Sequence, residues 1–195
     1  MPEVFVLLGF GWADPTVSLA HAKRMVRVCT EDYGLYGVKM NGAQNPYYID
    51  DPQLGLPLAE EIAKSGKMLA FHIGPDAYER THPWRAAKIA RLFPEMPILM
   101  VHMGMTDWDM NLAVVEIAKE YPNMMLIGSA TTDKAIWYAI QTLGAERVCF
   151  GTDGPFQRPH VVRAMYDALL GGEISPEDHA LVMGGNIARL FGLAG

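Results

Sequence analysis

The feature that most constrains the fold is a regular alternation of short apolar runs with longer amphipathic segments. The apolar runs are continuous rather than alternating, which is typical of parallel strands that helices cover on both faces. They predict strands at residues 4–9, 36–40, 68–72, 98–102, 124–128 and 148–151. The amphipathic segments predict helices near residues 16–33, 56–65, 83–92, 107–121, 132–143, 159–170 and 186–191.

Strand–helix alternation of this kind predicts an α/β fold with a parallel sheet and right-handed crossovers. Two architectures use the pattern, the closed eight-stranded barrel and the open doubly wound sheet. The sequence contains neither GxGxxG after the first predicted strand nor GxxxxGK[ST] anywhere, so nucleotide-binding versions of the open sheet have no support. We expect one domain over residues 1–195, because no linker or low-complexity tract divides the chain.

Composition narrows the classes of partner. The net charge is −6 and no cluster of Lys and Arg exists to face phosphates, so a nucleic-acid partner is not expected. No apolar run reaches the roughly 18 residues of a membrane span, so no membrane partner is expected either. Two cysteines, Cys29 and Cys149, form no CxxC motif, which favours a reducing cytoplasmic location. The N-terminal run lacks a basic leader and predicts a strand rather than a signal peptide.

Polar residues stand at the ends of five predicted strands. They are Lys39, His72, His102, Ser129 and Asp153. In parallel α/β folds the carboxyl ends of the strands carry the chemistry, so these side chains should converge at one edge of the sheet. Imidazole and carboxylate together suit zinc or a similar divalent ion, and a cation would compensate a carboxylate that follows a buried strand.

The loop after the His72 strand carries a second candidate group. Arg80, His82 and Arg85 lie in this loop on the same predicted face and could bind an anionic substrate. The remaining histidines, His21, His160 and His179, are predicted to lie on the surface.

An ordered set of motifs, GVKMN, FHIG, VHMG, FGTDGP and GGNIARLFGL, resembles the amidohydrolase superfamily, specifically its amidohydrolase-2 branch. That branch contains aminocarboxymuconate-semialdehyde-decarboxylase-like enzymes, other decarboxylases, hydratases and lactonases. The resemblance covers essentially the whole chain. It implies a TIM-barrel-like (β/α) fold and a metal-dependent hydrolase or decarboxylase that acts on a small carboxylic acid, lactone or amide.

The resemblance also implies roles for individual residues. His72 and Asp153 would be metal ligands, with zinc the expected ion. Asp153 would also be the base for a metal-bound water, and His102 would polarise the substrate or bind metal. Lys39 falls on the strand that carries the lysine of two-metal members, and we place it with the substrate-binding residues.

The sequence departs from the family at its beginning. Members start with a strand that ends in His-x-His, and this sequence contains no His-x-His. The predicted strands begin roughly 29 residues apart, so two further units would bring the chain to the typical ~250-residue barrel. We therefore expect an incomplete barrel of six parallel strands, shortened at its N-terminus. Its two open edges predict a homo-oligomer.

Three hypotheses follow for the function. The first is the metal-dependent hydrolase or decarboxylase. The second is a metal-free relative similar to the lactonases of the branch. The third is a non-catalytic remnant that oligomerises.

Overall fold

The computed structural model describes residues 8–193. Within them the chain forms one sheet of six strands in sequential order, and every neighbouring pair is parallel. The strands are β1 Phe10–Trp12, β2 Gly37–Met40, β3 Met68–His72, β4 Ile98–Val101, β5 Met124–Gly128 and β6 Val148–Phe150. The predicted α/β sheet of six parallel strands is therefore confirmed, and it does not close into a barrel within these residues.

Helices connect the strands on one side of the sheet. The α-helices are α1 Leu19–Arg27, α2 Gly55–Lys64, α3 Tyr78–Thr81, α4 Pro83–Leu92, α5 Trp108–Glu120, α6 Asp133–Leu143, α7 Pro159–Leu170, α8 Pro176–Ala180 and α9 Asn186–Leu190. Several begin at side chains that accept a hydrogen bond from the first turn, as Ser18, Asp107 and Thr132 do for α1, α5 and α6. No helix within residues 8–193 has both the length and the apolar character needed to cross a membrane.

Two predicted elements differ from the structure. The strand predicted at residues 4–9 lies mostly outside the described residues, and β1 runs from Phe10 to Trp12 instead. Gly9 and Gly11 flank Phe10 and interrupt the apolar pattern that would have predicted this strand. Pairing with the next strand begins one residue earlier, where the backbone N–H of Tyr36 donates to the carbonyl of Gly9 at 3.0 Å. The helix predicted at 16–33 begins at Leu19 and continues from Val28 to Asp32 as a π-helical turn.

The strands divide their side chains between two apolar clusters with the period of two that β-structure imposes. The larger cluster packs under the helices, and β3 contributes Leu69 and Phe71 to it. The smaller cluster lies on the opposite, inner face and consists of Ala70, Leu99, Met125 and Cys149. Burial on both faces explains why the strands read as continuous apolar runs.

The C-terminal segment covers part of the inner face. Ile187 and Leu190 of α9 pack against the inner cluster. The buried side-chain amide of Asn186 donates to the carbonyls of Ala145 and Val148 at 2.8 Å each, at the start of β6. At the other side of the sheet, the ring of Phe191 lies 4.6 Å from that of Tyr36, just before β2. The segment therefore spans the N-terminal ends of the strands and leaves their carboxyl ends open.

A left-handed turn follows β4. His102, Met103 and Met105 have φ of 74°, 53° and 55°, and Gly104 between them has φ of 97°. Non-glycine residues seldom adopt this conformation, so surrounding contacts must hold it. The side-chain amide of Asn111 donates to the carbonyls of Met103 and Met105 at 2.6 and 3.1 Å.

We expect Gly104→Ala to destabilise the protein more than Gly172→Ala does. Both glycines have positive φ, so both substitutions introduce left-handed strain of about 1–2 kcal/mol. A Cβ at Gly104 would also lie 2.8 Å from the Cβ of Met110 and 2.9 Å from the nitrogen of Asn111, whereas a Cβ at Gly172 meets nothing within 4 Å. Chemical denaturation measures both free energies of unfolding. Equal losses would show that the turn does not pack as tightly as described.

We also expect the chain to self-associate. No strand among residues 8–193 pairs with the outer edge of β1 or of β6, and unpaired edges offer backbone groups to another chain. Sedimentation velocity over a wide range of concentrations should show species larger than a monomer. A compact monomer at high concentration would contradict this expectation.

Candidate active site

Five polar residues meet at the carboxyl edge of the sheet, each placed by a different strand. Lys39 lies on β2 and His72 ends β3, while His102, Ser129 and Asp153 follow β4, β5 and β6. The rings of His72 and His102 are 4.9 Å apart between centroids and nearly perpendicular, at 73°. The structure thus brings together the residues that the strand ends predicted.

His102 is the most constrained of the five. Its Nδ1 lies 2.8 Å from the hydroxyl oxygen of Ser129, and its Nε2 lies 3.9 Å from Oδ1 of Asp153. Burial is the main cause that lowers the pKa of His102 to about 4, and His72 and Lys39 add to the shift. Asp153 and a hydrogen bond to the backbone of Ser129 oppose it. The imidazole is therefore neutral at physiological pH.

Asp153 follows β6 in a left-handed conformation, with φ of 56°. Its side chain keeps 26% of its surface exposed, so part of its hydration remains. Lys39 provides the remaining compensation. Burial lowers the pKa of Lys39, and the nearby carboxylate of Asp153 partly opposes this shift. An ammonium group and an imidazole thus face the carboxylate that ends this buried strand.

Asp76 belongs to the same site although no sequence motif pointed to it. Both of its carboxylate oxygens lie about 3 Å from Nε2 of His72, at 2.9 and 3.0 Å. Gly74 allows this approach, because a Cβ there would lie 2.9 Å from Oδ1 of Asp76 and 2.5 Å from the sulfur of Met105. Asp76 also raises the pKa of Lys39, so two carboxylates flank one lysine. The only signal in the sequence was an acid four residues beyond a strand-end histidine.

Trp12 forms the wall of the site beside Lys39. The two residues are partners in the β1–β2 register, and the Lys39 ammonium lies 5.7 Å from the centre of the indole. The indole N–H donates to Oδ1 of Asn45 at 2.9 Å, and Asn45 in turn donates to Asp14 at 2.8 Å. These bonds orient a side chain that is 41% exposed.

The second predicted group is engaged within its own loops. The Arg80 Nε donates to the carbonyl of Gly42 at 2.7 Å, and the Arg85 guanidinium bonds to Asp50 at 2.8 Å and lies on the ring of Tyr48. His82 caps α4 by accepting from the backbone N–H of Trp84. Within residues 8–193, these three side chains form no hydrogen bond to His72, His102 or Asp153. His82 and Arg85 line a groove of about 600 Å³, and their role in substrate binding stays a prediction.

The donor set does not by itself complete a metal site. Among the described residues no group of three His, Cys, Asp or Glu side chains is placed to hold an ion. His72 and Asp153 have the right chemistry for two ligands, but Nε2 of His72 bonds to the carboxylate of Asp76 in this structure. The predicted zinc ligands therefore amount to a partial set, short of the three protein ligands of catalytic zinc sites.

We expect His102 to make stability depend on pH. Between its ordinary pKa of 6.5 and its folded pKa of about 4, the unfolded chain binds a proton that the folded chain does not. The free energy of unfolding should therefore fall as the pH falls through this window, with the full contribution present above pH 6.5. Denaturation at pH 7 and pH 5 should show a smaller difference in His102→Asn than in wild type. The exposed His160→Asn serves as the control, and a difference unchanged by His102→Asn would contradict the assignment.

Comparison with known proteins places this geometry in a family. The family described as amidohydrolase matches residues 5–193. No curated protein matches the chain.

Solved structures share the fold at low sequence identity. A 2,6-dihydroxybenzoate decarboxylase from Rhizobium has a TM-score of 0.75 at 21% identity, over 96% of this chain and 72% of that one. An uncharacterised TIM-barrel protein from Bordetella bronchiseptica reaches 0.78 at 21% identity, over 96% and 67%. A dihydroxybenzoic acid decarboxylase from Polaromonas, solved with manganese and 2-nitroresorcinol, reaches 0.71 at 22% identity, over 96% and 70%.

These likenesses identify the open sheet as the corresponding part of a TIM barrel. Six sequential parallel strands with polar residues at their carboxyl ends agree with that assignment. The family match extends over nearly the whole sequence. The chain belongs to the amidohydrolase family.

Proposed function

We propose that this chain is a hydrolase or decarboxylase acting on a small carboxylic acid, lactone or amide. The observation that carries the proposal is the meeting of His102, Asp153, His72 and Lys39 at the open mouth of the sheet. Family membership supports the reaction class. The solved neighbours that are decarboxylases favour a carboxylic acid among the three substrate types.

Each residue has a role that its surroundings support. Lys39 lies at the mouth with two carboxylates near it and would bind the anionic group of the substrate. Asp153 is partly exposed and would move a proton to or from the reacting atom. His102, neutral and fixed, would donate a hydrogen bond to the negative charge that develops on the substrate.

The family leads us to expect a divalent metal at this site. Zinc is the first candidate, and manganese, which is bound in the Polaromonas neighbour, is the second. Bound there, such an ion would act as a Lewis acid. His72 and Asp153 would hold it together with at least one further donor, since the donors among the described residues are incomplete. We therefore assign proton transfer and substrate binding to the chain's own residues.

The metal-free, lactonase-like relative is the second candidate. It is favoured by the Asp76 carboxylate, which bonds to Nε2 of His72 and would have to leave before that nitrogen could bind a metal. In this alternative His102 and Asp153 keep the same roles. A non-catalytic remnant would bind neither metal nor substrate at the mouth.

We expect Asp153→Asn to lower turnover by about 10²-fold or more, the usual scale for a general base. The amide keeps the shape of the side chain but cannot accept the proton. His102→Asn should lower turnover with little effect on metal content, whereas Asp153→Asn and His72→Ala should lower metal content. The measurements are CO₂ release from 2,6-dihydroxybenzoate and related acids, hydrolysis of a lactone panel, and zinc and manganese by elemental analysis.

Glu116→Gln provides the matched control, because it removes the charge of a carboxylate on the outer face of α5. Its turnover and metal content should equal those of wild type. Wild-type protein that carries no metal, gains nothing from added zinc or manganese and still hydrolyses lactones would establish the second candidate. Inactivity on every substrate with and without metal would leave only the non-catalytic remnant.

A further inference from the structure

We propose that Trp12 is a specificity-determining residue whose indole favours ligands with a flat ring, and that Asn45 is a positioning residue that fixes the plane of this indole. The inference rests on the proposed function, because it takes Lys39 as the residue that binds the anionic group. It adds to that function the shape of the group that carries the anion. Its test measures binding and requires no turnover.

The strand register places Trp12 on the face of the sheet that forms the mouth. Trp12 is paired with Lys39, Lys39 with Ala70, and Ala70 with Leu99. Residues paired across neighbouring strands point to the same face of a sheet. Ala70 and Leu99 belong to the inner cluster, so the side chain of Trp12 also lies on the inner face, at the carboxyl end of β1.

The indole turns its face toward the ammonium group of Lys39. The ammonium lies over the ring at 5.7 Å from its centre, which is within the range of a cation–π contact. A carboxylate that binds this ammonium would lie beside the same face, so a ring attached to the carboxylate can stack on the indole. A flat ring makes more contacts with the indole than a puckered ring of the same size, because all its atoms lie at one distance.

A chain of hydrogen bonds fixes the plane of the indole. The indole N–H donates to Oδ1 of Asn45 at 2.9 Å, and Nδ2 of Asn45 donates to Oδ2 of Asp14 at 2.8 Å. The partners decide which way the amide faces, because an indole N–H can only donate and a carboxylate can only accept. The other oxygen of Asp14 accepts from the backbone N–H and the hydroxyl of Thr16 at 2.9 and 2.7 Å. The chain therefore joins the indole to the turn before α1.

The loop after β2 holds Asn45 at the point where it meets the indole. The backbone N–H of Asn45 bonds to the carbonyl of Asn41 at 3.0 Å, and the N–H of Tyr47 bonds to the carbonyl of Asn45 at 2.8 Å. The side-chain oxygen of Asn41 accepts from the backbone N–H groups of Ala43 and Gln44 at 2.9 and 3.2 Å. The acceptor of the indole is therefore part of a hydrogen-bonded turn.

Exposure leaves the ring available to a ligand. Trp12 is 41% exposed, and its N–H already has a partner in Asn45, so the surface that it offers is mainly the apolar ring. A side chain that is fixed before binding loses less conformational freedom when a ligand contacts it. Asn45 should therefore strengthen stacking on Trp12 without touching the ligand itself.

The test compares the dissociation constants of benzoate and cyclohexanecarboxylate, measured at pH 7 by ligand-observed NMR titration. Both are carboxylates with a six-membered ring, and only benzoate is flat. Wild type should bind benzoate about three- to tenfold more tightly, the scale of aromatic stacking beyond simple burial. Burial alone would favour cyclohexanecarboxylate, because its ring is the more apolar of the two.

The variants separate the two roles. Trp12→Leu should lose the preference for benzoate, and Trp12→Phe, which keeps a flat ring without the N–H, should keep part of it. Asn45→Ala should lower the preference by about twofold or more through the lost preorganisation. The affinity of Asn45→Ala for cyclohexanecarboxylate should equal that of wild type, whereas general damage to the site would weaken both acids alike.

Trp108→Leu is the matched control. Its indole also lies under a lysine ammonium group, that of Lys134 at 3.7 Å, but the pair joins α5 and α6 in the helical layer. This variant should keep the wild-type preference.

Equal affinities of wild type for the two acids overturn the proposal, even if the Trp12 variants do not fold, and so does the binding of neither acid. An unchanged preference in folded Trp12→Leu overturns it as well. A preference for benzoate in protein that turns over no substrate would count against the proposed function alone. Turnover of a carboxylic acid by protein without the preference would count against this inference alone.

Discussion

Parallel pairing of the strands is the constraint on which the rest of the structure depends. Each central strand is buried on both faces, by the helices outside and by the inner cluster with α9 inside. A polar side chain has no place along such a strand except at its ends. Because the strands are parallel, all the carboxyl ends lie at one edge, and Lys39, His72, His102, Ser129 and Asp153 meet there. The same pairing sends the N-terminal ends to the opposite edge, which α9 and Phe191 cover.

Electrostatic balance at this edge decides which groups are charged. Two carboxylates, Asp76 and Asp153, lie near one ammonium group, that of Lys39. The imidazole of His102 is buried beside His72 and is neutral, so it adds no charge to the site. A substrate carboxylate would have to compete with Asp76 and Asp153 for Lys39, and a metal would have to displace Asp76 from His72.

Family membership and local geometry support the proposal in different ways. The family match establishes the kind of barrel to which the six strands belong. The solved neighbours are only about 21% identical in sequence, so they show the fold and nothing more. The contacts of His102 with Ser129 and Asp153 are properties of this chain. They support the proposed roles of hydrogen-bond donor and proton carrier without reference to an ion, and therefore bear on both the metal-dependent and the metal-free candidate.

The sequence by itself determined the α/β class, the six parallel strands and the strand-end residues. The reason is that burial on both faces produces continuous apolar runs, and a polar residue after such a run marks its end. The strand predicted at residues 4–9 lies mostly outside the described residues, and the sequence did not predict β1 at Phe10–Trp12, because the glycines around Phe10 weaken the apolar signal. Only the tertiary structure decided that Asp76 folds back onto His72, that Ser129 bonds to His102, and that Arg80 and Arg85 bond to their own loops. These contacts depend on loop conformations, on a missing Cβ at Gly74 and on left-handed turns, none of which leaves a periodic pattern in the sequence.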